Sequence, residues 1–219
     1  AFALSYGSKQ ILDYYNIWPN LKKFTCPIIN IEVKDDNSIF SLYFNSKEIK
    51  TSEPLGYMIE NHILLKLLYS QVLENKNINL MDKVNSFRIE NSQDLAKVKI
   101  LGKTYNANLI IGADGKNSTI RDMCNIKVFR KSYDQIAIVG SISHEKHHDN
   151  TAYEIFYPNG PFAILPLHGG YNSSIVWTDK VSFGPYYQNM KKEELEYHLQ
   201  NKMKGILGKS KITSEVIIY

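Results

Sequence analysis

Gly112, Ala113, Asp114 and Gly115, followed by Ser118 and Arg121, are the residues whose types and spacing best suit chemistry. Leu109, Ile110 and Ile111 precede them as a short apolar run, which predicts a buried strand. The run breaks into a Gly-Ala-Asp-Gly turn, and Ser118-Thr119-Ile120-Arg121 then opens a helix. Strand, glycine turn and helix start together bring backbone N–H groups against a phosphate or a ribose. Asp114 places a carboxylate at the tip of that strand. The plain structural alternative is an ordinary strand–turn–helix connection in which Asp114 caps the helix.

A second segment, His144-Glu145-Lys146-His147-His148-Asp149, has the residue types of a metal site. Metal ligands must converge at fixed geometry, and adjacent His147 and His148 in a strand point to opposite faces. No metal is therefore expected. Neither a Ser-His-Asp nor a Cys-His nucleophilic arrangement has support. Cys26 and Cys124 lie far apart with no Cys-x-x-Cys, which argues against a disulfide framework and fits a reducing cytoplasm. Cys124 follows Met123 in the helix after the turn and is expected to be buried.

The elements that must position these residues follow from periodicity. Residues 8–24 read as an amphipathic helix with Ile11, Leu12, Tyr15 and Trp18 on one side, ended by Pro19. Residues 27–33 and 39–44 alternate as a strand pair about an Asp35-Asp36-Asn37 turn. Ile63, Leu64, Leu67, Leu68, Val72 and Leu73 recur at helical spacing over residues 60–73. Residues 84–90 and 95–101 form a hairpin across Asn91-Ser92-Gln93-Asp94. Four β runs, at 135–143, 152–157, 162–167 and 173–178, predict an antiparallel meander. A helix over 191–205 has Leu195, Leu199 and Met203 as its inner row, and a strand at 215–219 ends the chain. The expected division is 1–60, a helix with strands of a second domain inserted; 61–130, which holds the Gly-Ala-Asp-Gly turn; and 131–219, an antiparallel domain with the last helix and strand.

The 219 residues are 43% hydrophobic and carry a net charge of +4, ample for a buried core. Lysine supplies nearly all the positive charge, since the only arginines are Arg88, Arg121 and Arg130. Readers of nucleic acid use more arginine than this, so no nucleic-acid partner is expected. No apolar run approaches the roughly 18 residues of a membrane-spanning helix. The chain begins at Ala1 rather than Met, and the expectation is a piece of a longer protein.

Several motifs fall in a characteristic order. Ala3-Leu4-Ser5 comes first, then Pro54-Leu55-Gly56-Tyr57-Met58-Ile59-Glu60-Asn61, then Gly112-Ala113-Asp114-Gly115 with Ser118 and Arg121. Tyr133-Asp134-Gln135-Ile136-Ala137-Ile138-Val139 and the histidine segment follow. Last come Phe156-Tyr157-Pro158-Asn159-Gly160-Pro161-Phe162-Ala163-Ile164-Leu165-Pro166-Leu167 and Val176-Trp177-Thr178. In this order they resemble the ubiquinone-biosynthesis branch of the FAD-dependent aromatic hydroxylases, over almost the whole chain.

The resemblance implies an α+β fold, with part of a three-layer FAD-binding domain and an antiparallel substrate domain. It implies FAD as cofactor, NAD(P)H as reductant, and hydroxylation of a polyprenylated phenol with O2. Gly112, Ala113, Asp114, Gly115, Arg121 and Asn61 would bind the cofactor, with Arg121 ordering the turn or meeting the pyrophosphate of the nicotinamide donor. Tyr157, Phe162 and Leu165 would line the substrate pocket, although alternating strand residues are more often simply core. The histidine segment would be a loop of the substrate domain. The implied partners are the aromatic substrate and other proteins of the pathway. Loose contact with the membrane is implied too, which places the protein in the cytoplasm or at the inner membrane's surface.

The chain departs from the family in having no Gly-x-Gly-x-x-Gly βαβ unit and no Gly-Asp motif, and in carrying His62 where an arginine is frequent. Both ends of a longer protein are therefore expected to be missing, with the uncovered sheet edge promoting self-association. A flavoprotein of another pathway and a non-catalytic remnant stay open as alternatives.

Overall fold

The computed structural model describes residues 1–49, 53–91 and 95–219. The chain divides into one unit of residues 1–74 and 133–219 and a second of residues 75–132. This differs from the three-part division expected: the long helix joins the N-terminal residues, and the second unit is one continuous segment.

In the first unit, β1 (Phe2–Ser5), β2 (Cys26–Ile28) and β5 (Gly56–Ile59) form an antiparallel sheet in the order β1-β5-β2. The predicted first helix is two. α1 (Tyr6–Tyr14) is capped by Ser5, whose hydroxyl accepts from the Ser8 N–H at 3.2 Å. Asn16 then turns the chain at φ 55°. Pro19 stands in the first turn of α2 (Trp18–Lys22), so it starts a helix instead of ending one. Trp18 and Leu21 are buried with Tyr57, Ile59 and Leu64. Leu64 belongs to α3 (Asn61–Glu74), the helix that the apolar spacing predicts.

The segment 27–33 is also not one strand. The Ile29 N–H bonds the Asn150 carbonyl at 2.8 Å, and beyond that break the chain joins a second sheet. That sheet holds β3 (Asn30–Asp35), β4 (Ser41–Asn45), β9 (Gln135–His144), β10 (Thr151–Tyr157), β11 (Gly160–Pro166), β12 (Asn172–Lys180) and β13 (Ser210–Ile212), with β14 (Ile217–Ile218) also paired to β9. Its order is β13-β9-β12-β11-β10-β3-β4. Only β10, β11 and β12 meander. β9 returns beside β12, and β3 lies parallel to β10. α5 (Gly184–Gln188) and α6 (Lys192–Met203) follow β12. Leu195, Leu199 and Met203 of α6 close over Ile138, Ile155, Phe162, Ile175 and Trp177 to make the main core.

In the second unit, β6 (Phe87–Asn91), β7 (Ala96–Ile100) and β8 (Lys103–Ala107) form an antiparallel sheet with β7 central. The expected hairpin is present, and its turn at residues 92–94 lies outside the described residues. α4 (Thr119–Met123) follows the Asp114 turn.

Candidate functional site

The Gly-Ala-Asp-Gly turn is built around its carboxylate. Asp114 Oδ1 accepts from the Ser118 hydroxyl, and Asp114 Oδ2 accepts from the Ile120 N–H at 3.1 Å. Ser118 Oγ in turn accepts from the Arg121 N–H at 3.0 Å, which caps α4. The Ser118 and Ile120 hydrogen bonds hold the Asp114 carboxyl below the usual carboxylate range. Arg121 is pinned by Nη1 donating to the Lys116 carbonyl at 3.0 Å and Nε lying 3.4 Å from Asp122 Oδ1. Asp114 thus organises the turn from within, and the N-cap of α4 is Ser118 rather than Asp114.

The approach to this turn differs from expectation. Leu109–Ile111 is not a strand: no described strand pairs with it, and Leu109 and Ile111 are 74% and 75% exposed. An apolar run becomes a buried strand only where neighbours supply its ladder and its cover. Cys124, expected buried, caps the end of α4 half-exposed, beside a cavity of about 540 Å³.

Gly112, Gly115, Ser118, Arg121 and Asn108 share the lining of that cavity with apolar side chains. Gly115 has φ +82°, with open space where a Cβ would project. At Gly112 a Cβ would lie 3.1 Å from Ile120 Cγ2, so the Ile120 side chain would have to give by a few tenths of an ångström. Arg121 Nη2 is buried with no hydrogen-bond partner among the described residues. A buried guanidinium N–H without an acceptor calls for one, and an anionic oxygen is the best match.

In the first unit, Asn61 begins α3 and is exposed, as is His62, whose Nδ1 lies 3.7 Å from Glu60 Oε2. The three residues expected to line a substrate pocket divide between the two faces of the large sheet. Phe162 is fully buried in the core beneath α6. Tyr157 lies on that same face, donates to the Lys202 carbonyl at 2.6 Å, and has the Lys202 ammonium 4.2 Å from its ring centre. Leu165 lies on the opposite face, against the Cys26–Ile28–Met58 cluster. Glu154 of β10 also lies on that opposite face.

The histidines are fixed as structural groups. His148 Nε2 donates to the Leu167 carbonyl at 2.8 Å, and its Nδ1 accepts from the Asn150 N–H at 3.0 Å. His144 belongs to β9, where its ring bridges the Lys146 carbonyl and Ser173 Oγ. Burial lowers the pKa of both. His147 pairs with Asp149 at 2.7 Å on the surface. Among the described residues no group of three or more His, Cys, Asp or Glu side chains is placed to hold a metal ion.

Comparison with known proteins shows the fold. No family model matches the chain. The structure of PqsL, a probable FAD-dependent monooxygenase from Pseudomonas aeruginosa, superposes with a TM-score of 0.74 over 98% of this chain and 62% of that one, at 16% identity. The fold is that of the FAD-dependent monooxygenases. The ubiquinone hydroxylase UbiL of Rhodospirillum rubrum is 30% identical over 207 residues, 94% of this chain and 48% of that protein. The 3-demethoxyubiquinol 3-hydroxylase of Escherichia coli is 28% identical over 208 residues, 94% of this chain and 52% of that protein. The chain is a homologue of the ubiquinone hydroxylases and spans about half the length of these relatives.

Proposed function

We propose that the protein is an FAD-dependent monooxygenase that hydroxylates the ring of a polyprenylated phenol in ubiquinone biosynthesis, using NAD(P)H and O2. The observation that carries this reading is the unsatisfied Arg121 Nη2 beside the Asp114 turn, in a chain homologous to a ubiquinone hydroxylase over 94% of its length. The residues present fit the cofactor. Gly115 leaves its backbone open, Arg121 Nη2 offers a donor to a phosphate oxygen, and Asp114 with Ser118 keeps the turn in shape. Bound FAD would take electrons from NAD(P)H and activate O2 for transfer of one oxygen atom to the ring. The chain's own task is to hold that group, orient the phenol and keep water out.

A prenylated substrate favours work at a membrane surface. No described helix is long and apolar enough to cross a membrane. The exposed Leu109 and Ile111 favour association, with a second copy or with further chain. The test is turnover. Intact protein with FAD, NADH or NADPH and 2-prenylphenol should form a product heavier by one oxygen atom, with labelled O2 supplying that atom. Nicotinamide oxidation yielding only hydrogen peroxide, across a series of prenylated phenols, would contradict the reading.

A further inference from the structure

Three histidines meet where β9 turns back toward β10, and their hydrogen bonds differ. His147 lies on the surface, paired with Asp149 at 2.7 Å. His144 is buried, but its Nε2 faces the Ser173 hydroxyl, which donates to a neutral ring and accepts from a protonated one. His148 has no such freedom. It is 2% exposed, its Nδ1 accepts from the Asn150 N–H at 3.0 Å, and its Nε2 donates to the Leu167 carbonyl at 2.8 Å. A second ring proton would face the Asn150 N–H, donor against donor, where burial bars water from separating the two.

The Asn150 peptide is a junction. Asp149 and Asn150 both take the left-handed backbone conformation, at φ 49° and 54°. The Asn150 carbonyl accepts from the Ile29 N–H at 2.8 Å and from the Asn30 N–H at 3.3 Å. There the chain leaves the small sheet at β2 and enters the large one at β3. The Asn150 side-chain oxygen accepts from the Cys26 thiol at 3.4 Å. Cys26, Ile28 and Met58 of the small sheet cluster there with Ala152 and Leu167. One buried imidazole therefore holds the peptide on which the two sheets meet. Its titratable neighbours are His147 and Asp149 on its own turn, His144 on β9 and Cys26 on β2. Asp149 is engaged by His147, and burial pushes the Cys26 thiol up to about 11, so it carries no charge. Burial foremost, with His147 adding to it, lowers the pKa of His148 from the ordinary histidine value.

We propose that the His148–Asn150 turn is a pH-sensitive latch between the two sheets: the neutral ring holds it shut, and a proton on Nδ1 frees the Asn150 peptide, the Ile29 and Asn30 N–H groups and the Cys26 thiol. The proton binds the open latch more tightly than the closed one. The latch is therefore fully shut above pH 6.5 and opens as pH falls below it. The opening is local, because the core under α6 shares none of these hydrogen bonds. The device does not depend on the hydroxylase reading.

Cys26, 4% exposed when the latch is shut, is the reporter. The intact protein is labelled with a dipyridyl disulfide, and modification of Cys26 is read by peptide mass. Each rate is divided by that of the same cysteine in chemically unfolded protein at the same pH, which cancels the thiol's own titration. From about pH 7.5 to about pH 5 the relative rate should rise on the order of tenfold or more, with the circular dichroism spectrum unchanged. His148→Asn, whose amide oxygen still accepts from the Asn150 N–H and does not titrate, should give a flat profile. Amide exchange at Ile29 and Asn30 of the wild type, corrected for the intrinsic effect of pH, should quicken over the same range. A flat Cys26 profile in the wild type, or an equal rise in His148→Asn, overturns the latch. So does a rise that comes only with loss of the circular dichroism signal, or protection at Ile29 and Asn30 that does not change.

Discussion

In the first unit Ile138, Phe162, Trp177, Leu199 and Met203 are buried to 2% exposure or less, in a sheet whose strands all find partners. In the second unit Ser118 is the one buried residue among those described, and Leu109 and Ile111 stand in solvent. The first unit is held by apolar burial. The second is held by its three-stranded ladder and by the hydrogen bonds that Asp114, Ser118 and Arg121 make around one turn. A segment with so little buried apolar surface opens locally at low free-energy cost. The difference separates a unit held by apolar burial from one held by hydrogen bonds around a turn, and substitutions should therefore act differently in the two.

The largest effect is expected in the scaffold. Phe162→Ala should cost about 3–5 kcal/mol of unfolding free energy, as large-to-small changes in a closed core do. Chemical denaturation followed by tryptophan fluorescence measures it, since Trp177 pairs with Phe162 across β11 and β12. A cost near zero would mean that the α6 face is not the core described. Gly115→Val should act on the ligand instead. A β-branched residue at φ +82° costs about 1–2 kcal/mol in the turn, and FAD affinity should fall by roughly tenfold, while the denaturation midpoint of the scaffold stays put. Equal FAD affinity in this variant would remove the turn from the site.

A smaller effect is expected from pH. His144 and His148 are held neutral by burial, and His148 uses Nδ1 to accept from Asn150, so protonation would set N–H against N–H. Their pKa values lie lower in the folded than in the unfolded chain. The stability they contribute is therefore fully present above pH 6.5, the unfolded value, and is lost as pH falls below it. The thermal midpoint should drop over that acid range, and His148→Gln should flatten the drop. A midpoint independent of pH down to the carboxylate range would show that these rings titrate freely.

These contrasts mark what was legible in the sequence. α3 and α6 were, because Leu64 and the row Leu195, Leu199 and Met203 carry the helical period on their own. The β6–β7 pairing was legible from two adjacent alternating runs. The strand order β9-β12-β11-β10-β3 was not, because alternation says which residues share a face and not which strand lies beside which. For the same reason Phe162 and Tyr157 were grouped with Leu165, although the register sends them to the other face. Leu109–Ile111 misled because an apolar run shows a need for cover without saying what supplies it. The Asp114 turn was legible as a motif, and the double use of its carboxylate within the turn needed the coordinates.

FAD binding at the Asp114–Arg121 turn depends on Arg121 Nη2, which is buried without a hydrogen-bond partner among the described residues. The most direct measurement is an FAD titration of the intact protein and of Arg121→Met, followed by flavin fluorescence quenching. Losing a charged donor to an anionic oxygen should weaken FAD by roughly ten- to a hundredfold, with the circular dichroism spectrum unchanged. Wild-type affinity in Arg121→Met would contradict the account and leave the turn a structural connection.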